Sequence, residues 1–133
     1  MKKDIIIMIV DDNANFVNRM KGLLENLDGI NSINVAGDYD NAVRLLHEQT
    51  PDFLLLDINL PGKNGMEILK LVKNKKLKCE VIMITNHADE YYRNQCKKLG
   101  ARYFLDKSSE FGLVSEIISK QILHWILRLW NIL

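Results

Sequence analysis

The sequence predicts the α/β fold class, with one doubly wound (βα)5 domain built on a parallel five-stranded sheet of order 2-1-3-4-5. The first observation is an alternation: five short apolar runs are each followed by a segment whose apolar residues recur at helical spacing. The second is that these runs are apolar throughout, as strands buried on both faces of a parallel sheet are. A length of 133 residues fits one such domain with right-handed crossovers.

The predicted strands lie between turn signals. They cover residues 5–10, 33–36, 53–56, 81–84 and 103–105. Both prolines and most glycines fall between the periodic segments, where turns belong. In the first helical segment six apolar residues exceed what one buried stripe holds, so we expect one or two of them to be exposed: Phe16, Val17, Met20, Leu23, Leu24 and Leu27.

Composition and charge exclude several protein classes. Hydrophobic residues make up 47% and charged residues 26%, which is typical of a globular chain and excludes a disordered, collagen-like or disulfide-scaffold protein. The net charge of +1 gives no sign of the excess positive charge that is typical of direct nucleic-acid binding. Cys79 and Cys96 show no metal-site spacing, which favours two reduced thiols. Without a signal peptide or the ~20 apolar residues of a membrane span, we expect a soluble, cytoplasmic protein.

Polar side chains with useful chemistry follow the predicted strands. In open parallel sheets, ligands bind outside the carboxyl ends of the strands, so these positions predict the site. The residues in chain order are Asp11 and Asp12, Asp38, Asp57, Thr85, and Asp106 with Lys107. A single aspartate at a strand end is more often the N-cap of the next helix, but several such residues converging from different strands weaken that alternative.

Three of these carboxylates are expected to lie together. In the flavodoxin-like order 2-1-3-4-5 the first and third strands are neighbours, which brings Asp11, Asp12 and Asp57 to one point. Clustered carboxylates repel, and a hard cation with oxygen ligands relieves the repulsion, so the cluster predicts Mg²⁺. Lys107 and Thr85 then supply charge and a hydrogen-bond donor for a phosphoryl group, and an aspartate can serve as the nucleophile. We expect Asp57 to be that nucleophile.

The motifs around these residues resemble the receiver domain of the two-component response-regulator family. The resemblance covers residues 4 to about 120. It rests on the apolar strand that ends in Asp11-Asp12, on LLLDINLPGKNGMEIL around Asp57, on VIMITN ending after Thr85, and on GARYFLDK ending in Lys107. The four motifs are specific in combination, because their spacing along the chain agrees with that of the family.

The resemblance implies roles for individual residues. Asp57 is the expected phosphoacceptor, and Asp12 and Asp57 are the expected Mg²⁺ ligands together with the backbone carbonyl of Asn59. Asp11 is expected to act largely through a bound water. The phosphodonor is a phosphohistidine on a sensor histidine kinase or a phosphotransfer protein. The chain then catalyses only its own phosphorylation and dephosphorylation and is not an enzyme with a separate substrate.

The resemblance also implies a switch. Thr85 and Lys107 contact the phosphoryl oxygens, and movement of Thr85 lets Phe104 turn inward, which reshapes the surface of the fourth helix, fifth strand and fifth helix. Because side chains of a strand alternate, Tyr103 is expected on the opposite face. The alternative for Phe104 is an ordinary core residue.

Two departures from the family pattern affect the loops of the site. Ser108 stands where many receivers have proline after the lysine, so we expect a trans peptide there, with Ser108 or Ser109 as a cap of the fifth helix. Asn86 and His87 follow Thr85, where a small residue is usual. We expect Asn86, His87 and Asn59 to line the active-site rim; the alternative is two solvated loop residues.

The C-terminal segment is unusually apolar for the end of a receiver. We expect a receiver domain over residues 1–123 and an apolar extension of the last helix over residues 124–133. Trp125, Leu129 and Trp130 are expected to run past the sheet, together with Ile132 and Leu133. An amphipathic helix that outlasts its domain buries its face elsewhere, so we expect self-association or a downstream protein target at this helix; the alternative is a tail folded back on its own domain. No output domain is expected within this chain.

Three other functions fit the sequence less well than that of a phosphoacceptor receiver domain. A receiver-like module that signals without phosphate does not need the full set of acids. A haloacid-dehalogenase-type phosphatase also uses an aspartate and Mg²⁺, but its motif has a second aspartate two residues after the nucleophile, where this chain has Asn59. A flavin carrier needs a phosphate-binding loop after the first strand, and the sequence DDNANF does not resemble one.

Overall fold

The computed structural model describes residues 4–131, so Ile132 and Leu133 of the predicted extension lie outside the described residues. Five strands and five helices alternate along these residues. The strands are β1 (Ile5–Val10), β2 (Ile30–Ala36), β3 (Phe53–Leu56), β4 (Glu80–Thr85) and β5 (Tyr103–Asp106). The helices are α1 (Ala14–Leu24), α2 (Tyr39–Glu48), α3 (Gly65–Asn74), α4 (Glu90–Lys98) and α5 (Leu113–Asn131).

All strand pairs are parallel, in the order β2-β1-β3-β4-β5. The predicted fold class and strand order are therefore confirmed. β3 is buried along its whole length, as its uninterrupted Phe-Leu-Leu-Leu sequence predicts for a central strand. The sequence placed four of the strands within one residue of their ends, but β2 begins three residues earlier than expected.

Helices cover both faces of the sheet and divide the core in two. On one face α1 and α5 pack over Ile7 and Ile9 of β1, and on the other α2, α3 and α4 pack over Met8 and Val10. Phe104 belongs to the second cluster, whereas Tyr103 packs against the first, so the expected alternation in β5 is confirmed. None of the helices within residues 4–131 is long and apolar enough to span a membrane.

Side-chain caps begin four of the helices where the sequence leaves each strand. Asn13, Asp38, Asn64 and Asp89 each accept a backbone N–H from the first turn of α1 to α4, respectively. Asp38 is thus the N-cap of α2, which is the alternative given above for a single aspartate at a strand end. Caps of this kind fix where each helix leaves the carboxyl edge of the sheet.

Two local expectations are wrong. None of the six apolar residues at α1 is exposed, because Leu23 and Leu27 are half-buried against the cluster that α5 shares. Neither Ser108 nor Ser109 caps α5: both backbone N–H groups bond instead to Asp106 Oδ1, in a turn that ends before Leu113. The peptide after Lys107 is trans, as expected, and residues 4–131 contain no cis peptide bond.

The end of α5 differs from expectation at one residue. Trp125 does not run past the sheet: it packs on Phe53 of β3, with ring centroids 5.2 Å apart. Ile126 also packs against the α1/α5 cluster. Leu129 and Trp130 are exposed, as expected, and they are joined by Leu123 and Leu127 on the outer side of the helix.

Gly65 lets α3 approach the end of β3 closely. Its backbone N–H donates to Ile58 O at 2.7 Å, and a Cβ at this position would overlap the carbonyl oxygen of Asp57. Both neighbours are backbone atoms of the segment that carries Asp57, so they cannot move away as the end of a flexible side chain could. Only glycine fits here.

We therefore predict opposite effects for two glycine substitutions. Gly65→Ala forces the Asp57 segment and α3 apart and lowers the free energy of unfolding by about 1–3 kcal/mol. Gly22→Ala adds a methyl group in the exposed interior of α1, where nothing lies within 4 Å, and raises stability by roughly 0.5–1 kcal/mol. Urea unfolding measures both, and equal stabilities would contradict the close approach.

Candidate functional site

The site lies at the carboxyl edge of the sheet, where β1 and β3 end side by side. Asp11 directly follows β1 and Asp57 directly follows β3. Backbone bonds fix both positions, from Asp11 N to Ala36 O at 3.0 Å and from Asp57 N to Val10 O at 3.1 Å. The parallel pairing of neighbouring strands thus brings two residues that are 46 positions apart in sequence to one point.

The three predicted carboxylates do meet. One oxygen each from Asp11, Asp12 and Asp57 lies within 4.8 Å of the others. Asp11 and Asp57 are 2% and 5% exposed, whereas Asp12 faces solvent. One oxygen of each buried carboxylate also bonds to the turn that follows it: Asp11 Oδ1 accepts from Asn13 N at 2.9 Å and Asp57 Oδ1 from Asn59 N at 3.3 Å.

Lys107 reaches into this cluster from the end of β5. Its Nζ atom lies 2.8 Å from Asp11 Oδ2 and 3.0 Å from Asp57 Oδ2, and its side chain is 9% exposed. The ammonium therefore bridges the two buried carboxylates. An ion pair this deep compensates charges that would otherwise be strongly unfavourable, so removal of one partner leaves the others costly to hold.

Burial and charge shift two pKa values in this group. Loss of water on burial raises the pKa of Asp11, and the nearby ammonium of Lys107 only partly offsets it. Burial also acts to lower the pKa of Lys107, but the contacts with Asp11 and Asp57 outweigh it, so the pKa of Lys107 is raised. Lys107 is therefore charged at neutral pH.

The donor set fits a hard divalent cation. Within residues 4–131, Asp11 Oδ2 is the one buried side-chain oxygen or nitrogen without a hydrogen bond, since Lys107 approaches it closely but outside hydrogen-bond geometry. The ligand atoms that the cluster offers are all carboxylate oxygens. Mg²⁺ binds through one or two carboxylates and keeps several waters, which suits a cluster whose third member faces solvent.

Thr85 ends β4 at the same edge and is fully buried. Its Oγ1 accepts from His87 N at 3.1 Å, and its carbonyl accepts from Lys107 N at 3.0 Å. Asn86 and His87 are exposed, and the His87 ring faces the Tyr92 ring at a centroid distance of 6.4 Å. Asn59 is exposed on the opposite loop, after Asp57.

Phe104 is 8% exposed on β5. Arg93 of α4 covers it: the guanidinium carbon is 5.0 Å from the ring centroid, and Nη1 donates to Phe104 O at 3.1 Å. The ring is thus enclosed by α4 and the core cluster of its face of the sheet.

Two residues shape this site but do not stand out in the sequence. Gly65 appeared as one of several turn glycines, and only the overlap of a Cβ with Asp57 shows why it is required. Phe16 appeared as one of six apolar residues of α1, but its ring centroid lies 4.5 Å from Lys107 Nζ. No pattern in the sequence distinguishes it from its apolar neighbours, because the contact joins residues 91 positions apart.

Comparisons with known proteins agree with this geometry. The chain is 30% identical over 128 residues to a protein-glutamate methylesterase/protein-glutamine glutaminase from Treponema denticola, covering 91% of this chain and 34% of that protein. It is 30% identical over 114 residues to the transcriptional regulatory protein DegU of Brevibacillus brevis, covering 86% and 48%. The chain therefore spans a third to a half of the length of these relatives.

A solved structure and a family profile complete the comparison. The response regulator domain of Thermotoga maritima CheB superposes with a TM-score of 0.78 at 28% identity, covering 92% of this chain and 96% of that one. The profile described as the response regulator receiver domain matches residues 7–119, which include every residue of the acidic cluster as well as Thr85 and Lys107. The chain belongs to the response regulator receiver family of two-component signalling proteins.

Proposed function

We propose that the chain accepts a phosphoryl group on Asp57 from a phosphohistidine of a sensor histidine kinase or a phosphotransfer protein. One observation carries the proposal: the Lys107 ammonium bridges Asp57 and Asp11 in a cluster that Asp12 completes. A carboxylate beside a fixed cation and a metal-binding group is the arrangement that in-line phosphoryl transfer requires.

The chemistry follows from this arrangement. A carboxylate oxygen of Asp57 attacks phosphorus, an O–P bond forms, the P–N bond to the donor imidazole breaks, and that imidazole leaves with the bonding electron pair. The product is an acyl phosphate on Asp57. Lys107 holds its positive charge against the phosphoryl oxygens, and the buried hydroxyl of Thr85 donates to one of them.

Asp11, Asp12 and Asp57 fit the expected Mg²⁺. Asp12 and Asp57 would hold the ion with the backbone carbonyl of Asn59, and Asp11 would act through a bound water. When bound, Mg²⁺ neutralises charge on the phosphoryl oxygens and orients them. The chain's own contribution is the buried cluster itself, whose carboxylates repel one another in the absence of sufficient positive charge.

The response involves Thr85 and Phe104. Thr85 Oγ1 is bonded to His87 N, so a hydroxyl that turns toward a phosphoryl group must exchange that bond. Space left by Thr85 then admits a new position of Phe104, and Arg93 moves with the ring that it covers. Phosphorylation favours one of the two packings by the difference in free energy that these contacts supply. Asn86, His87 and Asn59 form the rim through which a donor or a water enters.

The phosphorylated state is read by a protein partner or by a second copy, and α5 is the surface for it. Its exposed residues at 113, 116, 120, 123, 127 and 130 repeat at spacings of three and four, which is the seam of a two-helix contact. Leu123, Leu127 and Trp130 are 55%, 57% and 68% exposed. The proposed domain boundary is unchanged: residues 1–123 form the receiver domain, and residues 124–133 form the interacting extension of its last helix.

A second copy fits this seam in antiparallel orientation. A two-fold axis near residue 125 places Leu123 against the Leu127 position of the other copy, and Lys120 against the Trp130 position. All the exposed apolar residues of the seam's C-terminal half are then covered, and the ammonium meets an aromatic face.

The phosphoacceptor is tested by intact mass. Incubation with Mg²⁺ and a small acyl phosphate is expected to add the mass of one phosphoryl group, and Asp57→Asn removes the addition while Asp40→Asn, at the exposed start of α2, keeps it. A phosphohistidine donor is used alongside the small one, because the proposed natural donor is a phosphohistidine. Failure of both donors, or a shift retained in Asp57→Asn, would contradict the proposal.

The Lys107 ammonium and Mg²⁺ would both compensate the negative charge of the carboxylate cluster, so we propose that the ammonium opposes metal binding. We therefore expect Lys107→Gln to bind Mg²⁺ about tenfold more tightly than the unsubstituted chain, while it loses phosphoryl acceptance. Lys70→Gln removes the same charge from an exposed pair with Glu67 on α3 and is the matched control. Calorimetric titration with MgCl₂ measures both affinities. Equal affinities of the two variants would show that the ammonium does not oppose metal binding.

Association through α5 is tested by mass in solution. Sedimentation of the unsubstituted chain is expected to give twice the 15.4 kDa of one chain, at a concentration where Leu127→Ser gives the monomer. Leu113→Ser lies at the start of α5, outside the antiparallel overlap, and is expected to keep the dimer. If the unsubstituted chain is a monomer, whether phosphorylated or not, self-association is contradicted and the partner at the seam is a different protein.

A further inference from the structure

The ammonium of Lys107 has a third neighbour besides its two carboxylates. The Phe16 ring centroid lies 4.5 Å from Lys107 Nζ, well within the range of a cation–π contact. Phe16 is 6% exposed and the Lys107 side chain 9%, so water screens this contact poorly. The ammonium therefore lies between Asp11, Asp57 and one aromatic ring.

Phe16 is itself firmly held. Its backbone N–H donates to Asn13 Oδ1 at 3.0 Å, which fixes it in the first turn of α1. Its ring meets the Phe111 ring edge to face, at 5.6 Å and 86°. The Arg19 guanidinium in turn lies 4.4 Å from the centroid of Phe111. A continuous set of contacts thus runs from the exposed Arg19 through two rings to Lys107.

We propose that Phe16 is a positioning residue whose ring holds the Lys107 ammonium at the acidic cluster, and that Phe111 and Arg19 hold the ring. The inference rests on the proposed function, since it assigns how the ammonium is kept in place for a phosphoryl group. Phe16 touches no reacting atom and acts only through Lys107.

The direction of the effect follows from which state depends more on the ring. In the free protein the ion pairs with Asp11 and Asp57 still hold the ammonium when the aromatic face is lost, whereas a phosphoryl group on Asp57 removes one of these carboxylate partners. The cost therefore falls on the bound state, and affinity for a phosphoryl group decreases. A cation–π contact of this burial corresponds to roughly a 5- to 30-fold change.

Fluorinated phenylalanines at position 16 separate this effect from packing. Successive ring fluorines weaken the negative ring face with little change in size, so the dissociation constant of beryllofluoride with Mg²⁺, a phosphoryl mimic, is expected to rise step by step from the mono- to the trifluorinated residue. Phe16→Met is expected to show the full loss, and Phe16→Trp to retain affinity. Val17→Ala removes buried volume from the same helix and is the control for stability, which urea unfolding follows throughout.

A second measurement does not depend on phosphoryl binding. The order parameter of the Lys107 ammonium, from nitrogen-15 relaxation in the free protein, is expected to fall along the same fluorine series and to stay unchanged in Val17→Ala. An order parameter independent of fluorination would overturn the positioning role even if Asp57 accepts phosphate. Absence of beryllofluoride binding in the unsubstituted chain would overturn the proposed function, and with it the purpose assigned to the contact.

Discussion

The constraint on which this structure depends is the placement of two buried carboxylates within reach of one ammonium. Two buried carboxylates are costly to hold together in a poorly hydrated site without a cation between them, and Lys107 supplies that cation. The ammonium belongs to the residue that follows β5, the edge strand, which lies two strands away from β3. Strand order, register and the loop after β5 must therefore all be correct for the charges to balance, so the acidic cluster is stable only in the complete fold.

The same contacts are those through which the proposed phosphorylation would act. Lys107 is connected through its backbone to Thr85 and through its ammonium to Asp11, Asp57 and Phe16. Under the proposed phosphorylation, charge added at Asp57 would change the balance among all of these partners. Phe104 lies on β5, the strand that leads to Lys107, and Arg93 of α4 contacts it, so these residues connect the site to the surface of α4 and β5.

Most of the fold and the acidic cluster follow from the sequence. Uninterrupted apolar strands, regular alternation and polar residues at strand ends suffice to predict a parallel sheet and the meeting of Asp11 with Asp57. What could not be predicted depends on tertiary neighbours. Trp125 has the same apolar character as Trp130, but only the former lies over Phe53. Similarly, none of the six large apolar residues at α1 is exposed, because α1 shares a core with α5, which pattern alone does not reveal.

The close contact of Gly65 with the backbone of Asp57 has a mechanical consequence. On that side the peptide group of Asp57 rests directly on the first turn of α3, with no side chain between them that could yield. Displacement of Asp57 toward α3 is therefore blocked. Under the proposed phosphorylation, the group added at Asp57 must be accommodated away from α3, so a local addition of charge would produce a one-sided change of shape.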